Sequence, residues 1–283
     1  MNQISKIYSI VANKLYGTGL TKNTLIRKLH YKIYTRLSPE FVNFYGFKIY
    51  AKRNHPILVF PDQENTHLIN FIIKYVKNGQ KIIDVGSNIG YVALMFSKKV
   101  GSDGIVYTFE PEKSNFQLLE KNIEKNNVKN VVPINKAVSN KTDKVLLHLA
   151  TSSGADDSGG HSVIKNKSHT ENTQLIDQTS LDDHFPKNTK IDWVKIDAEG
   201  LDLEVITGMT RLLEENPNIK LIVEYLPRVQ GNNSETLVKK LVELGFKLYD
   251  SKKDMTQTDL SQLEKNYVPI AGKEQTDLIC MKE

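Results

Sequence analysis

The sequence predicts an α/β fold, a doubly wound and mainly parallel sheet with helices on both faces, preceded by a basic helical arm. Three observations predict it. From residue 81 onward, short runs of β-branched and aromatic residues alternate with stretches of helical periodicity. The first run leads into Asp84-Val-Gly-Ser-Asn-Ile-Gly90, which places two glycines at a strand-to-helix turn. The second run ends at Glu110-Pro111, an acid at a strand tip followed by a residue that starts helices.

Taken in order, residues 1–39 form the arm. Ile4, Ile7, Tyr8, Val11 and Leu15 follow the 3.6-residue spacing, and Leu25, Ile26, Leu29, Ile33 and Leu37 repeat it after Gly17-Thr18-Gly19. The arm holds Lys6, Lys14, Lys22, Arg27, Lys28, Lys32 and Arg36 and no acid. The chain carries 38 bases and 33 acids, so outside the arm it is slightly acidic. Such an arm can pack on the domain, lie on an anionic membrane surface or meet a phosphate backbone, and nucleic acid is the least favoured of the three. Phe47–Tyr50 and Ile57–Phe60 suggest a short β meander, and residues 64–77 a helix. The domain reading is therefore an arm and meander over residues 1–60 and a main domain over residues 61–283.

Strands are expected at Lys81–Val85, Val106–Glu110, Val131–Asn135, Trp193–Asp197 and Leu221–Tyr225, with helices at 90–99 and 113–126 and after the last two strands. Phe246–Tyr249 and Leu278–Met281 are expected to pair antiparallel at the sheet edge, with no helical pattern between them. Residues 152–172, rich in Ser, Gly, Asp, Asn and His, suggest a loop that orders over a ligand or a disordered insertion.

Composition narrows the class. Hydrophobic residues make up 39% and charged residues 25% of 283 residues, as in an ordinary globular protein. The single cysteine, Cys280, excludes an intrachain disulfide and a cysteine-based zinc site. No apolar run approaches the ~20 residues of a membrane span. The beginning of the chain lacks the apolar core of a signal peptide, so a cytoplasmic location is expected, with contact at the inner membrane face as an option for the arm.

The glycines carry the first chemical signal. Gly86 allows a sharp turn and a close backbone approach to a ligand. Gly90 allows a helix to pack close to its strand. The pattern is Asp-x-Gly-x-x-x-Gly, not the Gly-x-Gly-x-x-Gly that cradles a pyrophosphate. The Asp84 carboxylate favours a ligand with a cationic amine. Glu110 follows Asp84 at close to the ~20-residue offset at which an acid meets ribose hydroxyls in this fold. Asn135-Lys-Ala-Val138 closes the third strand, where backbone and a small side chain can line a base.

These segments, with Val194-Lys-Ile-Asp-Ala-Glu-Gly200, Leu181-Asp-Asp183 and Leu203–Gly208, resemble the FkbM family of S-adenosylmethionine-dependent methyltransferases over roughly residues 60–283. The resemblance implies a class I methyltransferase (Rossmann-like) sheet of seven strands whose last strand is antiparallel. It implies O-methylation of a hydroxyl on a sugar, glycolipid or other envelope or natural-product precursor. It implies that Asp84, Gly86, Asn88 and Gly90 hold the methionine end of the cofactor, Glu110 the ribose, and that Ala137 borders the adenine. Val85, Ser87, Tyr91, Pro111, Lys136 and Asp197 complete the expected cofactor set. Ser87 and Ala198 depart from the family's usual Ala and Val.

Methyl transfer to an alcohol is an in-line displacement that alignment accelerates and a base or metal assists. Asp197 and Glu199, at the end of the fourth strand, lead the candidates for catalysis. Glu224, in the apolar run Ile222-Val-Glu-Tyr225, is costly to bury unless it faces a cleft or has a partner. His161 in the Ser-Gly-rich loop is a possible base near neutral pH. Lys195 alternates in phase with Asp197 and can anchor a carboxylate. Asp197 and Glu224 are the candidate ligands should a divalent cation take part. The alternatives are a non-catalytic S-adenosylmethionine-binding module, or a nucleic-acid methyltransferase that uses the arm. Methylation at a cytosine carbon needs a nucleophilic cysteine, which Cys280 on the last strand is badly placed to supply. No Asp/Asn-Pro-Pro-Tyr/Phe motif is present.

Overall fold

Period-2 burial on both faces of the central strands builds this fold. In the first of them Ile82 packs on one side, Ile83 and Val85 on the other, and all are essentially inaccessible. The structure, a computed structural model, describes residues 33, 36, 38–53, 55–58, 66–150, 162–163, 169–230, 233–267 and 275–282. Nearly all of the arm, and His161 with most of the 152–172 stretch, lie outside the described residues.

The order is β1 (Phe41–Phe44), β2 (Phe47–Tyr50), α1 (Thr66–Tyr75), β3 (Lys81–Val85), α2 (Tyr91–Val100), β4 (Ile105–Phe109) and α3 (Lys113–Lys125). Then come β5 (Val131–Ile134), β6 (Ala137–Val138), β7 (Asp143–Ala150), β8 (His169–Thr179), α4 (Leu181–His184) and β9 (Trp193–Ile196). The chain continues with α5 (Asp202–Thr207), α6 (Thr210–Glu215), β10 (Lys220–Tyr225), α7 (Pro227–Gln230), α8 (Asn233–Glu243) and β11 (Lys247–Asp250). The last elements are β12 (Thr256–Thr258), α9 (Leu260–Asn266) and β13 (Thr276–Met281).

The main sheet runs β12-β11-β13-β10-β9-β3-β4-β5. Strands β10, β9, β3, β4 and β5 are mutually parallel, and β13 is antiparallel to both β10 and β11. This is the expected class I arrangement with one addition: β12 pairs with β11 and makes an eighth strand. The order reverses between β3 and β4 on one side and β9 on the other, so the carboxyl ends of β3 and β9 flank the crevice where such sheets bind ligands. One core packs α1 and α2 against Ile82, Val106, Trp193 and Ile222. The other packs α5, α6 and α8 against Ile83, Val194, Leu221 and Val223.

Four expectations are corrected. Residues 57 and 58 belong to a 3-10 turn, Pro56–Leu58, and not to a strand; the meander is instead the hairpin β1–β2. Tyr45 and Gly46 both take positive φ there, as a two-residue hairpin turn that follows the strand twist requires. The segment between β11 and β13 contains a helix, α9, as well as β12. Strand β13 is interior, inserted between β10 and β11, because Leu278, Ile279 and Cys280 are buried on both faces. Finally, residues 169–172 belong to β8, which joins β6 and β7 in a separate three-stranded sheet.

Two side chains fix the surroundings of the site. Asn122 on α3 accepts from Tyr50 N at 2.8 Å and donates to Tyr50 O at 2.9 Å and Ile89 O at 2.8 Å, tying the hairpin to the loop after β3. Asp182 accepts from Arg211 N and Leu212 N, both at 2.9 Å, and so caps the start of α6.

Candidate active site

The β3–α2 turn is shaped by close packing. Gly86 has φ +76°, and a Cβ there would lie 1.8 Å from Asp197 O, so only glycine lets the β3 and β9 turns meet. Gly90, at φ +87°, faces Leu119 so closely that a Cβ would lie 2.3 Å from Cδ1. The Ser87 hydroxyl donates to Asp84 O at 3.0 Å and is hydrogen-bonded to the Thr108 hydroxyl, which pins the turn to β4.

Beneath this turn lies a buried charge bridge. Asp84 and Lys195 are register partners on β3 and β9. Lys195 Nζ is 3.4 Å from Asp84 Oδ1 and 3.1 Å from Asp197 Oδ2, and it donates to Gly86 O at 3.2 Å. The side chains of Asp84 and Lys195 are 0% and 4% exposed. Burial raises the Asp84 carboxyl above its ordinary range, and Lys195 opposes this. Burial alone would lower the Lys195 ammonium, but Asp197 and Asp84 hold it well above its ordinary range. Lys195 is thus a fixed cation spanning two carboxylates, not a free acid or base.

The cleft above is lined by Val85, Gly86, Ser87, Asn88 and Tyr91 on one wall, and by Glu110, Pro111, Lys136 and Ala137 on a second. Lys195, Asp197, Glu199 and Glu224 line it from the ends of β9 and β10. The structure therefore brings together the sequence-selected residues except three. Asp84 lies under the lining, Gly90 behind it, and His161 is outside the described residues.

Glu110 is held by Asn88 N at 2.8 Å and Glu112 N at 2.9 Å. Burial nevertheless pushes its carboxyl up to about 7. Glu199 takes φ +49° ahead of Gly200 at +98°, and its carbonyl accepts from Ser162 Oγ at 2.7 Å. The Glu224 carboxylate accepts from Gln275 Nε2 at 3.3 Å. Burial, and then the charges of Asp197, Glu199, Asp202 and Asp277, raise it well above the ordinary carboxylate range. Asp277, the cross-strand partner of Glu224, is raised to about 6 by burial and by Asp197.

Asn115 and Leu147 also line the cleft and were missed in the sequence, whereas Ser162 and Val163, which line it too, fall within the 152–172 stretch read there as a ligand-covering loop or an insertion. Leu147 comes from the unforeseen second sheet. Ser162 is joined to that sheet by reciprocal backbone hydrogen bonds with His148 at 2.8 and 3.1 Å. Cys280 is wholly buried opposite Leu221 near the start of β10, away from the lining residues. Among the described residues no group of three or more His, Cys, Asp or Glu side chains is arranged to hold a metal ion, so Asp197 and Glu224 gain no third ligand there. No helix among the described residues is long and apolar enough to cross a membrane.

The model of the methyltransferase FkbM domain family matches residues 84–248, more than half of the chain. This chain belongs to that family. Its domain is accordingly an S-adenosylmethionine-dependent methyltransferase domain. A curated relative, the hexuronic acid methyltransferase AglP of Haloferax volcanii, is 29% identical over 147 residues. That alignment takes in 52% of this chain and 57% of the relative, little over half its length. Among solved structures, a SAM-dependent methyltransferase from Aquifex aeolicus aligns with 17% identity and a TM-score of 0.44, covering 78% of this chain and 94% of that one. A precorrin-6y C5,15-methyltransferase from Geobacter metallireducens aligns with 10% identity and a TM-score of 0.45, covering 77% and 87%.

The residues present fit the family's cofactor. Asn88 lines the cleft, and its Oδ1 is a buried acceptor without a hydrogen-bond partner, which suits a cationic amine. Glu110 lines the cleft, and each of its oxygens accepts one backbone N–H, which fixes the carboxyl and leaves acceptor capacity for a ribose diol. A test follows from the Glu110 value. A carboxylate accepts the diol's protons best when ionised, so S-adenosylhomocysteine affinity should rise about tenfold from pH 6 to pH 8, in proportion to the ionised fraction. Calorimetry of Glu110→Gln should show weaker binding with that slope gone. A retained slope would assign it to another group.

Proposed function

We propose that this chain transfers the methyl group of S-adenosylmethionine to a hydroxyl of a sugar, free or carried on a glycolipid or other envelope or natural-product precursor. One observation carries the reading: a single cleft joins an amine-and-diol end (Asn88, Glu110) to an end bearing an elevated carboxyl, Glu224. The sugar substrate named for the Haloferax relative supports the acceptor class.

When bound, S-adenosylmethionine supplies an electrophilic methyl on a sulfonium centre. The chain's own residues do the rest. Asn88 and the glycine turn hold the amino-acid end over the Asp84 carboxylate that lies beneath them, Glu110 the ribose, and Pro111, Lys136 and Ala137 border the base. Lys195 holds Asp197 in place beside the reacting end. Glu224 takes the hydroxyl proton, because its proton affinity stands above that of an ordinary carboxylate and it faces the cleft. Glu199 and Ser162 wall the acceptor side.

The deciding experiment offers methyl-labelled S-adenosylmethionine with methyl glycosides of hexuronic acids and neutral hexoses, a glycolipid fraction, RNA and protein. Label in the glycosides or glycolipids supports the reading. Label only in RNA overturns the acceptor class. No label anywhere, with S-adenosylhomocysteine still bound, supports a binding module instead.

The acid-free basic segment 1–39 supports anionic lipid contact as part of the same reading. The full chain should sediment with phosphatidylglycerol vesicles and lose this on deletion of residues 1–39. Equal sedimentation of both would assign the arm to packing.

A further inference from the structure

Asp202 and Gln230 are 1% and 7% exposed, and neither lines the cleft, yet together they join its two acid-bearing turns. Gln230 Nε2 donates to Asp202 Oδ2 at 3.0 Å and to Glu224 O at 2.8 Å. Gln230 Oε1 accepts from Leu226 N at 3.0 Å. Asp202 Oδ1 in turn accepts from Ala198 N at 3.1 Å. One amide and one carboxylate therefore use four hydrogen bonds to connect residue 198, after β9, with residues 224 and 226, at the end of β10.

The sheet does not make this connection itself. Pairing of β9 with β10 ends at Ile196 and Val223. Beyond it the chain leaves each strand for a different helix, α5 after β9 and α7 after β10. The β9 turn also contains the left-handed Glu199, a conformation that persists only when its surroundings hold it. The separation of Asp197 and Glu199 from Glu224 is thus set past the end of the ladder, where this bridge cross-links the two turns.

We propose that the Gln230–Asp202 bridge is a positioning element for methyl transfer, fixing the two carboxylate-bearing walls of the acceptor end at their working distance. The proposal rests on the reading of the cleft as a methyl-transfer site. Neither residue touches acceptor or cofactor; both act through Glu224 and the 197–199 turn. A glutamine is suited to the place because it offers two donors and one acceptor, and all three are used.

The test uses the full chain, labelled S-adenosylmethionine, and methyl β-D-glucuronide and methyl β-D-glucoside as acceptor probes. In Gln230→Ala, kcat should fall about 100-fold, the scale of a small misplacement in an aligned reaction. KM for S-adenosylmethionine and S-adenosylhomocysteine affinity should stay within about threefold. The near-isosteric Gln230→Glu adds a readout that a purely structural role would not move. Its new carboxyl faces Asp202 and can bridge only while the two share a proton. Transfer by Gln230→Glu should therefore fall as pH rises, whereas the wild type, whose base must ionise, should rise. Asp197 and Glu224 act on Asp202, and Glu199, Asp277 and Lys195 act in turn on those two; all five side chains are present in both proteins.

A second readout needs no turnover. Carboxyl carbon NMR of the acceptor-free chain should show Glu224 titrating lower in Gln230→Ala than in the wild type, as its turn opens to water. Wild-type kcat in Gln230→Ala, or an unmoved Glu224 titration, overturns the proposal. If the wild type labels no sugar, the functional reading fails, and the titration still decides the bridge.

Discussion

Replacing Lys195 with Met should cost the protein about 3–5 kcal/mol of stability, the scale for removing one member of a buried ion pair. The side chain has no solvent to retreat to, and its loss strands Asp84, which is 0% exposed, beside the Asp197 carboxylate. The pH dependence distinguishes this cause from simple misfit. Without the cation, Asp84 must fold in its protonated form, whereas in the unfolded chain it ionises near 3.9. A raised folded-state value gives stability that is present at acid pH and lost as pH rises. Urea unfolding should therefore show a larger deficit of the variant against wild type at pH 8 than at pH 5. Adding Asp84→Asn to Lys195→Met should recover most of the loss. A single-variant cost under about 1 kcal/mol, or no recovery in the double variant, would show that the bridge does not hold the turn.

That bridge was half legible in the sequence. Lys195 and Asp197 alternate along one strand, and period 2 places them on one face. What periodicity cannot supply is register, which makes Asp84 and Lys195 neighbours across strands that lie about a hundred residues apart in the chain. The parallel strands were legible for a simpler reason: both their faces are buried, so they read as continuous apolar runs. Strands β7 and β8 have one buried face at most. Leu147 and Ile176 pack inward while the cross-strand pair Leu146 and Leu175 stays exposed among Lys, Asp, Gln and Thr. Such a mixed pattern resembles a polar loop, and the second sheet was missed with its contribution to the cleft. Strand β12 is only Thr-Gln-Thr, and nothing in three polar residues distinguishes an edge strand from a turn.

Among the site residues, those announced by the chain were the ones whose local geometry is unusual. Gly86 and Gly90 have positive φ, and Glu110, Asp197 and Glu224 are acids at the ends of apolar runs. Residues that act through tertiary contact had no such mark. Their importance comes from burial, which converts common side chains into obligatory partners.

Glu224→Gln carries the largest expected effect on turnover. The amide keeps the shape and the bond from Gln275, but it cannot take a proton, so kcat should fall between about 100-fold and 10,000-fold, the range of a lost general base. S-adenosylhomocysteine affinity should be unchanged, since the cofactor end of the cleft is made of other residues. The pH profile decides the assignment. In the wild type, burial and four neighbouring carboxylates hold Glu224 in its protonated form to higher pH than an ordinary glutamate. The base is the ionised form, so kcat should rise with pH through a limb displaced above the usual carboxylate range. The variant should lose that limb. Glu199→Gln removes one of the charges that raise Glu224, so it should keep the limb and shift it to lower pH. A limb that survives in Glu224→Gln would assign the proton transfer elsewhere, with Asp197, already bound by Lys195, the next carboxylate to test. The same displacement explains why so costly a carboxyl is kept at the end of β10. An acid made reluctant to ionise by its neighbours is, once ionised, a stronger base toward a sugar hydroxyl than an ordinary carboxylate.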